Sequence, residues 1–119
     1  MYYPLLYDVV DRFAERRTPY RDAHLKLART AAGNGELLLA GAFADPADGA
    51  AFVFKAADHS VAERFAANDP YVAAKLVTKW TLRKWTVMVG GASQEISEHI
   101  SNGLLLAYAQ NWMFSTVRR

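Results

Sequence analysis

The sequence contains no cysteine, which excludes a disulfide framework, thiolate nucleophiles and every zinc site built on cysteine. Histidine is scarce. His24, His59 and His99 are the only three, and no two stand at the four-residue spacing that puts paired ligands on one helix face, so no metal site is expected. Charge of one sign is also lacking: 14 Lys and Arg face 12 Asp and Glu, the formal net charge is +2, and basic residues interleave with acidic ones. Without a basic stripe and aromatic platforms, no nucleic-acid partner is expected. Long hydrophobic runs are missing too. No stretch approaches the roughly 18 apolar residues that span a bilayer, and MYYPLLYDVVDRF carries neither the basic leader nor the apolar core of a signal peptide before Asp8. The expected setting is cytoplasmic, away from membranes.

What is present is enough for one globular domain. The 119 residues are 52% hydrophobic and 22% charged, too apolar for a disordered chain and long enough to bury a core without staples. YYPLLYDVV (2–10) is rich in aromatic and β-branched residues and reads as a strand, with Pro4 confined near its start or to an edge. From about Pro19 to Gly33 the period is helical: Tyr20, His24, Leu27, Ala28 and Ala31 form one stripe opposite Asp22, Lys26 and Arg29. ELLLAGAF (36–43) and AAFVFKA (50–56), joined by ADPADG, read as a hairpin. A second helix starts near Val61, with Ser60 and Glu63 at capping-box spacing, and a last strand is expected in TKWTLRKWTVMVG (78–90).

The order β-α-β-β-α-β is the ferredoxin-like arrangement, an α+β fold with a four-stranded antiparallel sheet and helices on one face. Its strands lack clean polar alternation. Leu37, Leu39 and Phe43 are expected on one face of the second strand, yet Leu38, Ala40 and Ala42 opposite are equally apolar; Trp80, Leu82 and Met88 in the last strand face away from Trp85, Val87 and Val89. A second apolar face needs a cover, and the simplest is another copy, giving a homodimer; the C-terminal segment folding back is the alternative. In that segment (93–119) Ile96, Ile100, Leu104, Ala107, Tyr108 and Trp112 point to an amphipathic helix, broken at Asn102 and Gly103. The division expected is a domain over 1–91 and a C-terminal extension over 92–119.

Three groups of residues are candidates for chemistry. His24 lies on the inward stripe of its helix, as either a buried, hydrogen-bonded core residue or a general acid/base oriented by a carboxylate. Asp69 precedes Pro70, the pattern of an N-cap followed by proline at the first helical position of a short helix over 70–76; it is equally a candidate partner for a histidine. Arg16, Arg17 and Arg21 cluster at the start of the first helix, where they either pair with Glu15 and Asp22 or form an anion subsite.

The blocks YDVVDRFAERRTPYRDAHLKLA, GELLLAGAFADPADGAAFVF and AERFAANDPYVAAKLVTKWTLRKWTVMV, in this order over about residues 5–89, resemble the YciI-like (YCII-related) family. The resemblance implies a ferredoxin-like fold that dimerises through its sheets into a dimeric α/β barrel. It implies a His-Asp pair in a cleft, matching His24 and Asp69, in a superfamily that holds small metal-free acid/base enzymes, among them a dehydrochlorinase and muconolactone isomerases. The function so expected is a cofactor-independent lyase, isomerase or dehydrochlorinase-like enzyme acting on a small anionic or aromatic compound, with Arg16, Arg17 or Arg21 gripping the anion and Tyr20 or Tyr71 lining the wall. A ligand-binding or sensor module using the same cleft, and a structural accessory protein assembled through the C-terminal segment, are the alternatives. Relatives in this family usually carry glycine where Lys75 stands, and the C-terminal segment exceeds the usual family length.

Overall fold

The computed structural model describes residues 1–90; the expected extension over 92–119 and its helix lie outside the described residues. Met1–Trp85 form one compact unit. Strand β1 (Tyr2–Val9) leads through a single helical turn, α1 (Phe13–Arg16), and a 3-10 turn (Thr18–Tyr20) into helix α2 (Arg21–Gly33). Strands β2 (Leu37–Ala42) and β3 (Gly49–Lys55) follow, then helix α3 (Ser60–Asn68), the short helix α4 (Pro70–Ala73) and strand β4 (Val77–Leu82). The strands lie in the order β2-β3-β1-β4, every neighbouring pair antiparallel. The fold is therefore ferredoxin-like, α+β, as expected. No helix among the described residues is long and apolar enough to cross a membrane.

Alternation along β1 decides which face the helices cover. Tyr3, Leu5 and Tyr7 stand opposite Phe54, Phe52 and Ala50 of β3, and all six are buried. Phe65 of α3 packs on this layer, 5.2 Å from the Phe52 ring and 5.3 Å from the Phe54 ring, with Ala62 and Ala66 beside it. Full burial of each large side chain contributes about 1.5–3 kcal/mol, so this layer anchors the domain. A second cluster, Phe13, Tyr71 and Leu76, joins α1 to α4. Gly49 sits where β3 crosses Tyr7: a Cβ there would lie 2.8 Å from the Tyr7 carbonyl oxygen, so the close approach of β3 to β1 requires glycine.

Four expectations are corrected. The helix expected from Pro19 begins at Arg21, because Thr18–Tyr20 is wound as a 3-10 turn, and that change of pitch leaves Tyr20 39% exposed instead of on the inward stripe. In β2 the register shifts between Leu37 and Leu39. This bulge puts Leu37, Ala40 and Ala42 on the helix face, opposite Phe54, Phe52 and Ala50, and turns Leu39 to the other face. The last strand stops at Leu82, not near Gly90. Pro4 has no N–H to give it, Arg83 N–H reaches the Pro4 carbonyl at only 3.4 Å, and pairing resumes as an isolated bridge between Tyr2 and Trp85. The Ser60–Glu63 capping box does not form; Asp58 accepts from Ser60 N–H at 2.8 Å, and Glu63 bonds His59.

Helix α4 closes on Lys75, whose φ of 61° lies in the left-handed region, with Leu76 N–H donating to the Tyr71 carbonyl at 3.0 Å. Glycine is relaxed in this conformation and lysine is not. Replacing Lys75 with glycine is expected to raise stability by up to about 1 kcal/mol, the left-handed penalty less the extra chain entropy of glycine. Gly49→Ala should do the opposite, by about 1–3 kcal/mol. Urea unfolding of the two variants checks both signs.

Candidate active site

Asp69 is built into the junction of α3 and α4. Its extended backbone (φ −76°, ψ 123°) is what a residue before proline adopts, and its carbonyl accepts from Val72 and Ala73 N–H to start α4. Its side chain is 0% exposed, and three donors meet it there. Oδ1 accepts from Tyr71 N–H at 3.0 Å and from His24 Nδ1 at 2.8 Å; Oδ2 accepts from the Tyr7 hydroxyl at 2.7 Å. The side chain thus caps α4 and holds the histidine of α2 with the same oxygen. A buried carboxylate is tolerated only when its lone pairs are used in this way.

His24 is 9% exposed. Its ring stacks on Tyr71, centroids 4.0 Å apart and planes 14° from parallel, and meets the Phe52 ring edge-on at 5.9 Å. As a carboxylate Asp69 only accepts hydrogen bonds, so Nδ1 carries the proton in this contact and Nε2 keeps its lone pair. With Nδ1 spent on Asp69, Nε2 is the nitrogen left for the cavity that His24 lines. The other histidine–carboxylate pair among the described residues, His59–Glu63 at 2.6 Å, is exposed along one turn at the start of α3 and lacks this enclosure.

The cavity measures about 280 Å³. Beside His24 it is bounded by Tyr7, Phe13, Phe52 and Tyr71, by Arg17 and Arg21, and by a wall of Ala40, Gly41, Ala42 and Ala50. That wall follows from the β2 bulge, which turns alanines to the helix face where larger residues would fill the space. Arg17 lies with its guanidinium carbon 5.5 Å from the centre of the Phe13 ring. Its position and that of Arg21 leave both cations at the cavity that His24 lines.

Of the residues singled out from the sequence, His24, Asp69, Arg17, Arg21 and Tyr71 come together here. Arg16 and Tyr20 do not line the cavity; both are exposed. Tyr7 was not foreseen. Burial and the neighbouring Asp69 charge push its phenol far above the usual range, so it is a permanent donor to the carboxylate. The sequence signal was only its place on the inward face of β1. Among the described residues no three His, Asp or Glu side chains gather as a metal site would need.

The chain belongs to the YCII-related domain family, whose model matches residues 1–86. Among solved structures it is similar to 5-chloro-2-hydroxyhydroquinone dehydrochlorinase (TftG) from Burkholderia phenoliruptrix AC1100, in complex with 2,5-dihydroxybenzoquinone, at a TM-score of 0.63 and 16% identity over 74% of this chain and 96% of that one. At such identity the likeness is one of fold. No curated protein matches the chain significantly.

Removing the carboxylate strands three donors, so Asp69→Ala should lower stability by about 3–5 kcal/mol, against about 1–3 kcal/mol for Tyr7→Phe. Alkaline pH tests the Tyr7 bond separately. Its folded phenol is raised above the unfolded value of 10.0, so its contribution is fully present below pH 10 and falls as pH rises further, by up to about 1.4 kcal/mol per unit. Thermal melts from pH 8 to 11 should therefore show a steeper alkaline loss in the wild type than in Tyr7→Phe.

Proposed function

We propose that the protein is a small-molecule enzyme that works by acid/base chemistry, with His24 taking up and returning a proton. The observation that carries this reading is the enclosed His24–Asp69 pair, whose histidine lines a cavity that two arginines also line. His24 Nε2 would remove a proton from a carbon or hydroxyl of the substrate, leaving the bonding electrons on the substrate. The imidazolium so formed is steadied by Asp69, while Arg17 and Arg21 hold the negative charge. The electron pair then either reprotonates at another carbon, which is isomerisation, or expels a leaving group from the neighbouring carbon, which is elimination. Neither route needs a group beyond these side chains, so the reading is cofactor-independent.

The cavity is at the small end of ligand sites, which favours a molecule of about one ring. That the structurally similar protein is a dehydrochlorinase crystallised with a dihydroxybenzoquinone supports the same class. The self-association expected from the sequence also has support. Leu6, Leu39, Ala51 and Val53 share the sheet face away from the helices, where Leu6 is 43% and Leu39 71% exposed. A second copy pairing on this face would bury them, and Leu39→Lys should then lower the mass measured by light scattering.

The acid/base role is tested by deuterium exchange. A panel of small cyclic enols and phenols is incubated in D2O, and loss of the acidic C–H signal is followed by NMR. His24→Ala is expected to abolish catalysed exchange with the fold retained; exchange that persists at the wild-type rate refutes the assignment. A binding-only module would bind without exchange in the wild type. Asp69→Asn separates charge from geometry. The Asn amide oxygen can take the Oδ1 place, accepting from Tyr71 N–H and His24, while its NH2 donates to the Tyr7 oxygen. The cap and the imidazole tautomer are kept while the negative charge and the acceptor of the Tyr7 hydroxyl are lost, so folding is expected to survive at reduced stability while exchange slows about 100-fold or more.

A further inference from the structure

Tyr71 makes every contact that its ring could ask for. It stacks on His24 at 4.0 Å, meets the Phe13 ring edge-on at 5.3 Å, and belongs to the buried Phe13–Leu76 cluster. Its backbone N–H donates to Asp69 and its carbonyl accepts from Leu76. The residue is only 4% exposed, yet its hydroxyl has no hydrogen-bond partner among the described residues. A buried phenol without a partner is unfavourable. Phenylalanine would make the same ring contacts without that penalty, so packing explains the ring and leaves the hydroxyl unexplained.

The surroundings of the hydroxyl say what it could bind. Tyr71 lines the same cavity as His24, Arg17 and Arg21. Burial raises its phenol above the usual range, with Asp69 acting in the same direction and Arg17 and Arg21 against it, so at neutral pH it is a donor. A donor set of one phenol O–H and two guanidinium groups is complementary to an oxyanion.

Resting on the reading of this cavity as the substrate site, we propose that the Tyr71 hydroxyl donates a hydrogen bond to an ionised oxygen of the ligand, shared with Arg17 and Arg21. The ligand class this defines is a single planar ring bearing such an oxygen, a phenolate or an enolate. Tyr71 then has two separable functions. Its ring fixes the plane of His24, and its hydroxyl sets where the anion lies relative to Nε2.

The test is Tyr71→Phe, with 2,5-dihydroxybenzoquinone as the probe and affinity measured by calorimetry on the full chain. The expected result is a thermal midpoint equal to or above that of the wild type, because no native hydrogen bond is lost, together with affinity weaker by about 10- to 100-fold. Equal affinity in the two proteins overturns the inference while leaving the cavity as a ligand site. A lowered midpoint overturns it as well, since the hydroxyl would then be serving the fold. A wild type that binds no probe overturns both this inference and the class of substrate proposed above.

Discussion

One buried carboxylate organises the half of the domain that surrounds the cavity. Asp69 lies at the end of α3 and the start of α4, and its two oxygens reach β1 through Tyr7, 62 residues away, and α2 through His24, 45 residues away. A charge at 0% exposure is stable only with these partners in place, and the partners are correctly aimed only with the charge between them. The sheet, the first helix and the short helix are therefore tied at one point. That point lies against the cavity wall, so the demands of a buried ion and of a directed imidazole are met by the same atoms.

Cap and histidine partner are consequently not alternatives. Oδ1 accepts from both the Tyr71 amide and His24, and Oδ2 accepts from the Tyr7 hydroxyl. The helix start sets the carboxylate's position, because proline fixes the backbone on one side and the amide fixes the oxygen on the other. Tyr7 keeps the carboxylate from turning about its own axis. A histidine orienter needs such rigidity, since a rotated carboxylate would offer Nδ1 a poorer acceptor and release the tautomer.

Much of this was legible from residue patterns. The element order follows from runs of β-branched and aromatic residues separated by turn residues; the cap at Asp69 follows from Asp-Pro, and the inward place of His24 from its helical phase. What was not legible depends on long-range geometry. Tyr7 alternates inward like any core aromatic, and nothing local says that its hydroxyl meets a carboxylate 62 residues on. Tyr20 was placed by extending a helical period through Thr18–Tyr20, where the backbone is wound more tightly, and Arg16 by its place in the arginine cluster before the helix. The alanine wall was hidden by the β2 bulge, because a one-residue shift exchanges the faces of a strand, and the end of β4 is decided by a proline on a different strand.

The charges around the cavity are ordered in a way that suits proton removal. Asp69 is enclosed on one side of the imidazole, whereas Arg17 and Arg21 stand at the cavity that its other side lines. In the acid/base reading proposed above, a proton passing from a ligand to Nε2 would bring positive charge beside the carboxylate and leave negative charge beside the arginines. Both changes would be met by groups already fixed in place, so little reorganisation would accompany the transfer. The reverse arrangement, with cations behind the imidazole and a carboxylate in the cavity, would oppose both. The stacked Tyr71 ring adds a geometric constraint, since it holds the imidazole plane. Under the proposed reading, such a site would discriminate by where the acidic proton lies relative to the oxyanion, and less by the remainder of the ligand, for which the alanine wall supplies only room.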